Sequence, residues 1–116
     1  MRRPPIRVLD IAGTPEEMGH THGTAFAEEI RHYTEERVGL VMSGRWSGGP
    51  MSRGDVLDLA ETMLPAHESH SPTLYAEMCA MASAAGLTPS EAIVVGGFTD
   101  FVDVVRAEVG GHHPET

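Results

Sequence analysis

The stretch SEAIVVGGFTDFVDVV, residues 90–105, decides how this chain is read. Its first part, SEAIVVGGF, follows the Thr88-Pro89-Ser90-Glu91 arrangement that opens a helix, and Gly96–Gly97 weakens that helix soon after it starts. Its second part, DFVDVV (100–105), alternates polar and apolar residues, which is the period of a strand. Its only companion is IRVLDI (6–11), β-branched at Ile6, Val8 and Ile11 and read as a short strand. Two isolated strands do not make a stable sheet. Both are therefore expected to extend a sheet that another chain completes, and the fold class expected is α+β, mostly helical with edge strands.

Helices fill the space between. Thr14 caps the first, with Pro15 at the first helical position and Glu17 completing a Thr-x-x-Glu capping box. Met18, His22, Phe26, Ile30, Tyr33, Arg37 and Leu40 then follow a spacing of three to four, one apolar face continuous from end to end. Glu28, Glu29, Glu35 and Glu36 fall mainly outside it, on a solvated face. SGRWSGGP (43–50) is a Gly-rich loop. A second helix starts at Ser52 or Asp55, carries Val56, Leu59, Ala60, Met63 and Leu64, and is halted or kinked by Pro65. HESHSPT is a connector. Ser71–Pro72 starts a third helix with a stripe of Leu74, Met78, Met81, Ala82 and Ala85, closed by Gly86.

Composition narrows the function. A chain of 116 residues fits one domain. A formal net charge of −9 disfavours nucleic acid, and all eight basic residues are Arg. No run approaches the roughly 18 apolar residues of a membrane span, so no membrane partner is expected. MRRPPIRVLDIAG opens like a signal peptide, but Pro4, Pro5, Arg7 and Asp10 break its apolar stretch, and a cytoplasmic location is expected. Aromatic residues are few, so the chain alone would build a thin core. GGHHPET (110–116) has little apolar surface with which to dock itself. Something outside this sequence is expected to hold it.

The candidate chemistry is sparse. GHTHG (19–23) carries a His-x-His pair, but residues i and i+2 on a helix point apart, and no metal site is expected. Gly19 and Gly23, one turn apart, would let a neighbouring element approach the backbone closely, with His22 a partly buried structural histidine. His67 and His70 straddle the break after Pro65, and His112–His113 lies in the tail. Cys79 is the only cysteine, and AEMCAMA supplies neither base nor cation to activate it. Asp100 and Asp103 could form an acid–base pair on one helix face but would diverge in a strand. The chain's own residues contain no complete active site, and no cofactor is implied.

Two stretches carry a resemblance. GTPEEMGHTHG (13–23) resembles the Gly-[Ser/Thr]-Pro-x-Glu-[Met/Ile]-Gly-x-x-[His]-Gly motif of the isopenicillin N acyltransferase-like family of cysteine N-terminal-nucleophile (Ntn) hydrolases. AEMCAMASAAGLTPSEAIVVGGFTDFVD (76–103) is similar to that family's segment just upstream of self-cleavage. The resemblance implies that this chain is the α subunit of a precursor that cuts itself, with Thr116 at the processing site. It also implies a four-layer αββα sandwich formed with a separate β chain, and compatibility with higher oligomers of αβ units. The nucleophile would be the β chain's new N-terminal Cys, so no catalytic residue is expected here. The substrate would be a small-molecule amide, either hydrolysed or used for acyl transfer. Phe98, Asp100, Phe101 and Asp103 are the substrate-pocket candidates, because that segment approaches the pocket in the family. The family often has Gly where Thr116 stands, and an Asn-x-[Arg/Thr]-x-Glu-type run where this chain has GGFTDFVD. A stand-alone acidic helical binding or regulatory protein is the alternative, followed by a histidine metal module.

Overall fold

The computed structural model describes residues 6–45 and 48–109. Seven helices follow one another there: α1 Pro15–Ala25, α2 Ala27–Ser43, α3 Arg53–Glu61, α4 Leu64–His70, α5 Pro72–Ala85, α6 Pro89–Gly96 and α7 Phe98–Val109. The described residues contain no strand. That overturns the α+β expectation and the edge strands of an αββα sandwich with it. The helices form a slab of 49 × 44 × 24 Å, about two helix diameters thick.

The expected strand at 100–105 is the middle of α7. Phe101, Val102 and Val105 are buried there while Asp100 and Asp103 are exposed, which is the i, i+1, i+4 pattern of a helix face. Their burial against Val38, Val41, Val56 and Val94 outweighs the modest strand preference of a Val-rich run. Residues 6–11 form no hydrogen-bonded ladder; Ile6 and Val8 stand 92% and 82% exposed. Arg7 pins this segment, lying 4.3 Å over the Phe26 ring, pairing with Glu29 and reaching the Ala25 carbonyl.

That carbonyl marks a break the sequence reading ran through. Phe26 leaves helical geometry at φ −120°, ψ 28°, and separates α1 from α2. The apolar face expected from Met18 to Leu40 therefore does not continue in phase. Tyr33 is 52% exposed, whereas Thr34, Val38 and Val41, one position further on, are buried. Thr34 is satisfied by donating to the Ile30 carbonyl at 2.8 Å. α3 ends at Glu61, before Pro65, and Pro65 itself sits in the first turn of α4, so His67 and His70 lie on a helix rather than in a connector.

Local chemistry sets the remaining ends. Thr14, Ser52, Ser71 and Thr88 cap α1, α3, α5 and α6 through their hydroxyls. Gly86, at φ +83°, closes α5, and the Leu87 N–H reaches back to the Ala82 carbonyl at 2.7 Å. At the first box, the Glu17 carboxylate accepts from the Thr14 N–H at 2.9 Å. That bond, and then the bond with the Thr14 hydroxyl, hold its pKa below the ordinary value. A depressed folded value means this contribution is complete above the unfolded Glu pKa of about 4.3 and is lost as pH falls through the folded value. Carboxyl NMR titration is expected to find Glu17 below the ordinary glutamate value. Thr14→Val should raise it only in part, because the hydroxyl goes while the residue-14 backbone N–H stays.

The second box is tied into the tertiary structure. One Glu91 oxygen accepts from the Thr88 N–H at 2.9 Å, and the other from Arg53 at 2.8 Å. Arg53 also pairs with Glu35 at 3.0 Å, so one guanidinium joins α2, α3 and α6. The Glu91 side chain is only 15% exposed and that of Glu35 67%. Glu91→Ala is expected to cost about 2 kcal/mol, since it removes a cap and a part-buried charged bond. Glu35→Ala should cost at most about 0.5 kcal/mol, as exposed pairs do. Urea denaturation of the two variants measures the difference.

Candidate functional site

α1 and α5 meet over two turns of backbone. Gly19 faces the Glu77 carbonyl, and a Cβ there would lie 2.1 Å from that oxygen and 2.9 Å from the Ala80 Cβ. Gly23 repeats the arrangement one turn on, at 2.2 Å from the Met81 carbonyl and 2.9 Å from the Ala84 Cβ. Both glycines are buried. The register is i, i+4 on both helices, so small residues form the contact and the two backbones touch. His22, between them in sequence, is exposed rather than part of the core; its ring lies edge-on to Phe26 at 6.1 Å between centroids. His20 is exposed too. Among the described residues, no group of three His, Cys, Asp or Glu side chains could hold a metal ion.

The four pocket candidates separate on α7. Phe98 and Asp100 line a shallow cleft of about 290 Å³ with Arg37, Val95 and the Gly96–Gly97 pair. The Arg37 guanidinium lies 4.8 Å over the Phe98 ring, a cation–π contact that holds the start of α7 against α2. Phe101 is fully buried and has no surface to offer a substrate. Asp103 is exposed on the same helix but does not line the cleft. The helical period is the reason: Phe101 turns inward while the two aspartates turn out. Sequence reasoning missed Arg37 as a cleft residue. Its signal was a charged side chain within an apolar stripe.

A second concavity, of about 550 Å³, lies between α4, α5 and α6 and is mostly apolar, with Leu74, Met78, Met81 and Ile93 in its wall. His67, His70 and Tyr75 border it. The His67 Nδ1 lies 2.9 Å from the Met63 carbonyl. A carbonyl can only accept, so this nitrogen carries a proton. The Tyr75 pKa is raised by desolvation first, then by its hydrogen bond to the Cys79 thiol and by the charges of Cys79 and Glu68. Cys79 is part-buried in mid-helix. The processing-site candidate Thr116 and the pair His112–His113 lie outside the described residues.

These features make a helical scaffold with surface concavities. Comparison of the chain with family models, with curated proteins and with solved structures gave no match. No single helix among the described residues is long and apolar enough to cross a membrane.

Proposed function

We propose that this chain is the helical N-terminal part of a self-cleaving cysteine amidohydrolase or acyltransferase. Its partner is a second chain from the same precursor, which carries the nucleophilic Cys at its new N-terminus. The substrate class is a small acylated amine, a peptide or a β-lactam-like metabolite, attacked at an amide bond through an acyl-enzyme. The reaction needs no cofactor and takes place in the cytoplasm. One observation carries the reading. The two stretches that resemble the family, 13–23 and 76–103, lie far apart in the chain yet supply the two faces of one contact, Gly19 and Gly23 against Glu77 and Met81. Motif residues used in this way belong to a scaffold, which is the part an α subunit plays.

The chemistry follows from the amine. An α-amino group has a pKa of about 7.7–8.0, so an appreciable fraction is neutral at neutral pH. It can accept the proton of its own residue's thiol, and the thiolate attacks the amide carbon. Before cleavage that amine is locked in a peptide bond, and the base is missing. In this reading the bond after Thr116 is the one cut. The same Cys thiol attacks the Thr116 carbonyl, the peptide shifts to a thioester, and water then releases the two chains.

Expression of the complete reading frame in a protease-deficient host tests this. Intact mass is expected to give two chains split after Thr116, with amidase activity. Replacing the Cys that follows Thr116 with Ala should leave one uncleaved, inactive chain. If the Ala variant still splits, an external protease makes the cut. If the reading frame closes after Thr116, the proposal fails and the second reading takes its place: a stand-alone acidic helical binding protein. The observation favouring that alternative is the continuous core that α2, α3, α6 and α7 build by themselves.

A further inference from the structure

We draw no further inference here: the strongest candidate, the apolar groove between α4, α5 and α6 walled by Leu74, Met78 and Ile93, carries none because nothing in the structure shows what covers it.

Discussion

Gly19→Ala and Gly23→Ala are each expected to destabilise the protein by about 2 kcal/mol or more, and together to undock α1 from α5. Two effects oppose one another. In a helix interior Ala is favoured over Gly by about 1 kcal/mol. The added methyl, however, would lie 2.1 Å or 2.2 Å from a carbonyl oxygen of α5. Neither oxygen can turn aside, because each belongs to helix backbone. α5 must move as a body, and Ala82 and Ala85, which it holds fully buried, must move with it. Overpacking of this kind costs about 1–3 kcal/mol, and backbone clashes stand at the upper end. The clash wins. Gly39 provides the control: it is exposed in α2, and a Cβ there meets nothing within 4 Å. Gly39→Ala should therefore stabilise, by about 0.5–1 kcal/mol. Chemical denaturation of the full protein reads all three signs. Unchanged stability in Gly19→Ala would mean that the two backbones are not in contact.

Phe101→Ala is expected to cost about 3–5 kcal/mol, the range for truncating a buried aromatic side chain. Phe101 is the largest fully buried side chain in the described structure, and it packs in the core with Val38, Val41, Val56 and Val105. Asp100→Ala and Asp103→Ala, on the exposed side of α7, should stay within about 0.5 kcal/mol. Val102 gives the sharper test of the helix itself. A strand would place Val102 on the face opposite Phe101. Here Val102 is only 6% exposed and lies in the same cluster. Val102→Ala should therefore cost at least about 1 kcal/mol, with the loss read from the shift in the denaturation midpoint.

What was legible in the sequence was what depends on neighbours along the chain. The hydroxyls of Thr14, Ser71 and Thr88, the prolines after them and Gly86 at the end of α5 act within one turn, and each sits where that chemistry places it. The face of α2 was not legible, because its phase depends on the break at Phe26, a residue with no breaker chemistry. The aspartates of DFVDVV stand three apart, a helical spacing that strict alternation does not give, so its period was legible and was misread as a strand's. What it packs against, the valines of α2 and α3, comes from elsewhere in the chain and was not legible. Pro65 shows the same limit at shorter range. A proline both ends one helix and starts the next, and which role it plays depends on residues downstream. Of the pocket candidates, which came from the family resemblance, Phe98 and Asp100 line the cleft and Phe101 is buried.

The α1–α5 contact also has a timetable. Gly23 leaves the ribosome about sixty residues before Met81, which at roughly 5–20 residues per second is a delay of roughly 3–12 s. Closing a loop of that length adds little entropy cost over a shorter one, so the delay is one of supply rather than of thermodynamics. Throughout it α1 is a capped helix whose flat glycine side faces nothing of its own. Nascent-chain experiments should find α1 protease-sensitive until Ala85 has left the ribosome, and protected soon after that point.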